Sequence, residues 1–189
     1  MKPSVLVFAT LALPLAARAQ NVPDQHQVVP GERIGRVFLG DSQAAVHRRL
    51  GKPTANFRLP QGLDSELWKA KDLGAHGLRD TLQVIYRSGV AVQIEVANPV
   101  FQMNNGLNVE SDFQKRFQIF GRPNFSARRI ARRHNAKQLY QDWKRSGVAI
   151  ELLCTEIQPG HEGEPVPETL IVHRKGQPVI PAPGVAVEP

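Results

Sequence analysis

Two short stretches, LGKP at residues 50–53 and FGRP at 120–123, end helix-like patterns in the two halves of this 189-residue chain. Glycine after the last helical residue fits the left-handed C-terminal position, and a following proline prevents continuation. A second pair comes later in the same order, RSGVAV at 87–92 and RSGVAI at 145–150, and each opens an alternating apolar run. The doubled order predicts a repeated supersecondary unit.

The residues before each stop predict a short helix. In the first half, the helix is expected near 42–50, with Asp41 or Ser42 as its N-cap. Helices of about nine residues are marginal alone in water, so each must pack on another layer.

The second helix is expected near 112–120. Ser111 is the expected N-cap, because Gln114 follows at the capping-box spacing. The expected buried stripe of this helix follows i, i+4 and i+7 spacing. It consists of Phe113, Phe117 and Phe120.

Antiparallel strands are the expected second layer. Residues 82–86 and 90–96 alternate apolar and polar side chains around a Ser88-Gly89 turn, which predicts a hairpin with one buried face. Residues 140–154 repeat the pattern, and a further strand is expected near 169–174. These elements predict an α+β fold of two tandem repeats, each a short helical layer on a small antiparallel sheet.

The N-terminus carries the features of a secretory signal peptide. Lys2 precedes an apolar stretch at 5–17, and Ala17-Arg18-Ala19 is an A-x-A cleavage site before Gln20. The stretch is shorter than the roughly 20 residues that a membrane span needs. The chain is therefore expected to be periplasmic or secreted, with residues 1–19 removed and no transmembrane span.

The rest of the chain divides by composition. Residues 20–30 are polar and bounded by prolines, which predicts a flexible lead-in, and residues 176–189 form a proline-rich tail expected to be extended and unpaired. Between them, the first repeat is expected at 31–100 and the second at 101–175.

Residues 34–42 (IGRVFLGDS), continuing to the LGKP stop, are similar to the opening of the β-lactamase-inhibitor-protein-like repeat and of the small outer-membrane-assembly lipoproteins of BamE type. The resemblance covers about residues 31–175. It implies two adjacent α+β units in a non-catalytic, protein-binding envelope module. The chain departs from both families, because it has no lipidated cysteine and no cysteine pair within a repeat. Its one cysteine, Cys154, is expected on the core face of a strand.

Familiar catalytic signatures do not occur in the sequence, and no enzyme activity, metal or cofactor is expected. Glu95 and Asp142 resemble catalytic carboxylates, but neither has a partner that the sequence can identify. Trp68 and Trp143 are expected to be core or hinge aromatics, with a stacking platform for sugar or base as the other interpretation. The histidines have no metal-ligand spacing. They are His26, His47, His76, His134, His161 and His173.

The basic run ARRIARRH at 127–134 is the candidate binding site, a strand being favoured over a helix by its position. Arginines suit contact with phosphate or carboxylate, although charge runs are often only solvated faces. The residues concerned are Arg128, Arg129, Arg132 and Arg133. A signal peptide argues against intracellular nucleic acid, so the expected partner is an acidic protein face or an anionic envelope component.

The sequence therefore favours an exported, non-catalytic binding module of undetermined oligomeric state. Two alternatives stay open. One is a secreted hydrolase that acts on cell-envelope material with scattered Asp, Glu and His residues. The other is a periplasmic carrier of small molecules.

Overall fold

The computed structural model describes residues 22–69, 81–129, 136–158, 161–162 and 166–180. Its helices are α1 (Gln43–Leu50) and α2 (Phe113–Phe120), with a 3-10 turn at Pro60–Gly62. A small sheet contains β1 (Val28–Val29), β2 (Arg33–Ile34) and β3 (Val37–Phe38). The strands of the main sheet are β4 (Ala55–Leu59), β5 (Leu63–Lys69), β6 (Thr81–Arg87), β7 (Val90–Val96), β8 (Asn124–Arg129), β9 (Ala136–Trp143), β10 (Val148–Gln158), β11 (His161–Glu162) and β12 (Val166–His173).

The main sheet is continuous and runs in the order β4-β5-β6-β7-β12-β10-β9-β8, with β11 beside β10, and its strand pairs are antiparallel. The prediction of two tandem helix-on-sheet repeats is wrong. Strand β7 of the first half pairs with β12 of the second, with Val96 opposite Leu170 and Ile94 opposite Val172. All four side chains are buried, so this pairing merges both halves into one sheet-dominated fold.

The individual elements predicted from local sequence signals occur in the structure, although their predicted arrangement does not. The predicted hairpin forms between β6 and β7, and both turn residues, Ser88 and Gly89, have positive φ. Residues 124–129 form a strand, as favoured from their position. Strand β12 begins at Val166, a few residues before the predicted start.

Both helices occur where they were predicted, but α2 has a different cap and a different buried face. In α1, Ser42 is the N-cap and its Oγ accepts from the Ala45 N–H at 3.2 Å. In α2, the N-cap is Asp112, whose Oδ1 accepts from the Lys115 N–H at 2.7 Å. Ser111 instead accepts from the Asn108 N–H at 3.0 Å, so the predicted Ser111 cap is wrong.

The predicted phenylalanine stripe is only partly buried. Phe113 is 37% exposed, Phe117 is half-buried, and the one fully buried residue of α2 is Arg116. Phe120 packs against the core. The helix therefore faces the sheet with Arg116 and Phe120, which are four residues apart on one side.

The largest apolar cluster lies on the face of the sheet that α1 and α2 cover. Trp68 and Trp143 are buried in it, as the core interpretation predicted. The Trp68 Nε1–H donates to the Gly51 carbonyl at 3.2 Å, and the Trp143 Nε1–H donates to the Gly121 carbonyl at 2.8 Å. Each indole thus binds the residue that ends one helix.

The segments next to the termini pack against this sheet. Val28, in the predicted flexible lead-in, is buried in the main cluster. In the predicted unpaired tail, the Val179 N–H donates to Asp142 at 3.2 Å and the Ile180 N–H donates to Gln93 at 2.7 Å. Residues 1–19 and 181–189 lie outside the described residues, as does the side chain of Cys154. No helix in the described part is long and apolar enough to cross a bilayer.

Candidate functional site

Strand β8 forms one end of the main sheet. Within the described residues it pairs with β9 alone, so the backbone groups of its outer edge have no strand neighbour. Phe125 of this strand is 65% exposed and is the most exposed large apolar side chain described. An unpaired strand edge can accept an added strand from another chain through main-chain hydrogen bonds.

The structure brings two of the four predicted arginines onto this edge. In the backbone register, Arg128 lies opposite Gln138 and Arg129 opposite Lys137 of β9. Consecutive strand positions belong to opposite faces of a sheet, so positions 128 and 129 belong to opposite faces. Arg132 and Arg133 lie outside the described residues.

The opposite end of the sheet, β4, provides a comparison. It also carries an Asn-Phe pair, and Phe57 is 45% exposed. The charge next to it differs, because Arg58 of β4 lies opposite Asp64 of β5. On β8, the two arginine positions lie opposite glutamine and lysine positions of β9 in the backbone register.

The face of the sheet opposite the helices carries buried polar groups that sequence reasoning left unconnected. Glu95 is 4% exposed, and its Oε1 accepts from the Gln93 Nε2–H at 2.6 Å. Glu151 is 7% exposed and accepts from the Gln138 Nε2–H. Burial raises the pKa of Glu95 to about 8, and the Glu151 charge adds to this shift despite the Gln93 hydrogen bond, which lowers it. Burial, with the charge of Glu168, raises the pKa of Glu151 to about 7.

Asp142, for which the sequence offered no partner, pairs with a buried histidine. The His173 Nε2 lies 3.0 Å from the Asp142 Oδ1, and the His173 Nδ1 lies 3.1 Å from the Arg174 carbonyl. The other Asp142 oxygen accepts from the Val179 N–H. Both ring nitrogens of His173 are therefore engaged, and the pair connects β9, β12 and the C-terminal segment.

A second carboxylate–histidine contact joins α1 to β5. The buried Glu66 carboxylate lies 2.8 and 2.9 Å from the His47 Nε2, and it accepts from the Gln43 Nε2–H at 2.6 Å. Sequence reasoning missed this contact, because residues 19 positions apart on a helix and a strand share no local pattern. The contact stabilises the packing of α1 on the sheet, because two side chains of α1 donate to one buried carboxylate.

These contacts are relevant to the alternative that the chain is a secreted hydrolase. A general acid or base must reach substrate, but Glu95 and Glu151 are buried and bonded to glutamine amides. Both ring nitrogens of His173 lie at hydrogen-bond distance from protein oxygens. No group of three potential metal-ligating His, Cys, Asp or Glu side chains occurs among the described residues.

Comparison with known proteins gives no family. No family model matches the chain, and no curated protein matches it. One similar solved structure is an extracellular protein containing an SCP domain from Bacillus anthracis str. Ames, with a TM-score of 0.42 and 8% identity over 73% of this chain and 44% of that chain. Another is a cysteine-rich secretory protein from Staphylococcus aureus subsp. aureus Mu50, with a TM-score of 0.43 and 9% identity over 77% of this chain and 48% of that one.

The chain thus spans less than half the length of these solved proteins. Neither solved structure is a β-lactamase-inhibitor-like or BamE-like repeat, and the resemblance inferred from the sequence is wrong. At TM-scores below 0.5 and identities below 10%, the likeness does not define an activity for this chain.

Proposed function

We propose that this chain is an exported, non-catalytic binding module that holds an extended acidic segment of a protein partner along the outer edge of β8. The observation that carries the proposal is the outer edge of β8, which pairs with no further strand among the described residues and carries the exposed Phe125 and two arginine positions opposite Gln138 and Lys137.

An added peptide strand would use all three features of this edge. Its backbone would pair with the free N–H and C=O groups of β8, and its carboxylates would lie near Arg128 and Arg129. An apolar side chain would cover Phe125. A polysaccharide or a lipid headgroup could meet the arginines but could not extend the ladder of main-chain hydrogen bonds, which favours a protein partner.

A second copy of this chain fits the edge less well than an acidic segment does. Strand β8 contains no acidic residue, so pairing it with the β8 of another molecule would add arginines to the edge without a carboxylate to neutralise them. Charged residues on free edges commonly protect against such self-pairing. The same arginines attract an acidic strand, so the charge selects the partner.

Export and the lack of catalysis belong to the proposal as well. The signal-peptide pattern at residues 1–19 supports export. N-terminal sequencing of the extracytoplasmic protein tests it, with Gln20 expected as the first residue. The burial of Glu95 and Glu151 and the engaged ring of His173 support a role other than hydrolysis.

The test uses the protein that begins at Gln20 and a fluorescent peptide in which glutamate alternates with valine. Anisotropy titration should give saturable binding that weakens as salt rises, because salt screens exposed charges. Phe125→Ser and the double variant Arg128→Ser/Arg129→Ser should each weaken binding by about tenfold, since a rim of charges and one apolar anchor supply most of such contacts. Their matched controls at the other edge, Phe57→Ser and Arg58→Ser, should leave the affinity unchanged.

Two peptide controls separate strand addition from plain charge attraction. A peptide N-methylated at alternate residues keeps its carboxylates but loses main-chain donors, and it should bind at least about tenfold more weakly. A lysine–valine peptide should not bind. Equal loss at both edges, or full binding by the N-methylated peptide, would contradict the proposal. Dimerisation of Arg128→Ser/Arg129→Ser with peptide affinity unchanged would mean that the arginines only protect the edge.

A further inference from the structure

A groove of about 360 Å³ lies between α1, the small sheet and the ends of β5 and β6. We call it the α1 groove. Its floor is formed by apolar side chains that belong to the main core. They are Ile34, Val37, Leu50, Trp68, Leu82 and Phe101. Ile34, Val37 and Phe101 are almost fully buried, so the surface open to a ligand comes from Leu50, Trp68 and Leu82. Its volume falls within the range typical of sites for small molecules.

The rim of the α1 groove is cationic. Arg36, Arg49 and Lys69 line it, and none of its described lining residues is an aspartate or glutamate. Arg49 is held in place, because its guanidinium pairs with Asp41, donates to the Arg36 carbonyl at 3.1 Å and lies over the Phe38 ring. Arg36 and Lys69 are exposed. After the Arg49–Asp41 pair is set aside, two positive charges stand beside an apolar floor.

We propose that the α1 groove binds a free medium-chain aliphatic carboxylate. The apolar floor would take the hydrocarbon chain out of water, which is favourable for each methylene buried. The carboxylate would lie at the rim near Arg36 and Lys69, where charge-assisted hydrogen bonds are available. An aliphatic ammonium ion would meet like charges at this rim.

This site is separate from the β8 edge. Trp68 and Leu82 belong to β5 and β6, the second and third strands from the β4 end of the sheet, whereas β8 is the strand at the other end. Variants at the α1 groove should therefore leave peptide binding at β8 unchanged, and each proposal can fail without the other.

The test is isothermal titration calorimetry of the chain from Gln20 with decanoate below its micelle concentration. Binding to one site per chain is expected. Decanol and decylammonium have the same hydrocarbon chain as decanoate but lack its negative charge. Each should bind at least about tenfold more weakly than decanoate, because one charge-assisted contact contributes roughly 1.5 kcal/mol or more. Trp68 in the floor offers a second readout, since its fluorescence should change on binding.

The double variant Arg36→Gln/Lys69→Gln should weaken decanoate binding by about tenfold and leave decanol binding unchanged. Both residues are exposed, so thermal melts of the variant should match those of the parent. Arg48→Gln is the matched control, because Arg48 is exposed on α1 but does not line the groove. Decanoate affinity should not change in this control.

Several outcomes would overturn the proposal. These are no heat of binding with decanoate, equal binding of decanol and decanoate, or loss of binding in Arg48→Gln to the same extent as in the double variant. Vesicles of phosphatidylglycerol provide the last arm. Binding to the vesicles without binding to free decanoate would assign the cationic rim to a membrane surface and reject the free carboxylate.

Discussion

The indole Nε1–H of Trp143 donates to the carbonyl oxygen of Gly121 at 2.8 Å, so a strand of the sheet holds the residue that ends α2. Trp68 makes the corresponding contact with Gly51, at the end of α1, at 3.2 Å. Each glycine has φ above 70°, which leaves its carbonyl outside the helical hydrogen-bond pattern. The tryptophans therefore satisfy acceptors that the helices leave open.

The first prediction concerns this contact. Trp143→Phe keeps a large aromatic ring but removes the donor, and it should lower the free energy of unfolding by about 2 kcal/mol, counting one hydrogen bond and some lost packing. Trp68→Phe should cost less, because its hydrogen bond is longer. Urea denaturation of both variants measures the difference. An equal or reversed order would mean that ring packing, and not the bond to glycine, dominates.

The second prediction concerns the buried face of α2. Phe120 packs on Trp143 with ring centroids 5.5 Å apart, whereas Phe117 is half-buried and contacts the exposed Phe113. Phe120→Ala should therefore cost about 2–4 kcal/mol and Phe117→Ala only about 1 kcal/mol. The sequence had assigned the central position of the stripe to Phe117. Chemical denaturation of the two variants, with Phe113→Ala as an exposed control, decides between these assignments.

Local signals predicted the helix ends and the β6–β7 hairpin, because glycine, proline and cap residues act within a few positions. The pairing between the two halves of the chain could not be predicted from such local signals. Alternation in β7 indicates that one face is buried, but it does not say which strand lies at each edge. The pairing of β7 with β12 depends on packing between Ile94 and Val172, which are far apart in the chain.

For the candidate sites too, the sequence predicted some features and not others. The strand that carries Arg128 and Arg129 followed from its position after the FGRP stop. The pairing of Asp142 with His173 did not, because the two residues are 31 positions apart and lie on strands that only the folded sheet brings together. The α1 groove needs side chains from α1, the small sheet, β5, β6 and the segment that carries Phe101, so no spacing in the sequence could indicate it.

The third prediction concerns the C-terminal segment. Val179 and Ile180 pack on two small apolar clusters of the sheet, and their N–H groups donate to Asp142 and Gln93. Truncation after Pro178 should lower the free energy of unfolding by about 2–4 kcal/mol, from the loss of two apolar side chains and two hydrogen bonds. Truncation after Ile180 keeps both residues and is the matched reference for this loss. Equal stability of the two truncated chains would mean that the segment does not hold the sheet.

The last prediction concerns pH, and it follows from the two buried glutamates. Burial raises the pKa of Glu95 from 4.5 to about 8 in the folded chain. Between these values the folded state binds a proton that the unfolded state has released. Stability must therefore fall as pH rises through this window and level off above the folded-state pKa. Glu151, with a folded-state pKa of about 7, contributes in the same direction over a narrower window.

Glu95→Gln should remove most of this dependence, because the amide cannot ionise and keeps the shape of the protonated acid. Urea denaturation at about pH 5 and about pH 8.5 should show the parent less stable at the higher value by an amount on the order of a few kcal/mol, whereas the variant should change much less. Glu110→Gln, at an exposed position, is the control and should follow the parent. If the variant kept the slope of the parent, another titrating group would be responsible. A parent that gained stability as pH rose would contradict the assignment, since a buried carboxyl that must ionise opposes folding at high pH.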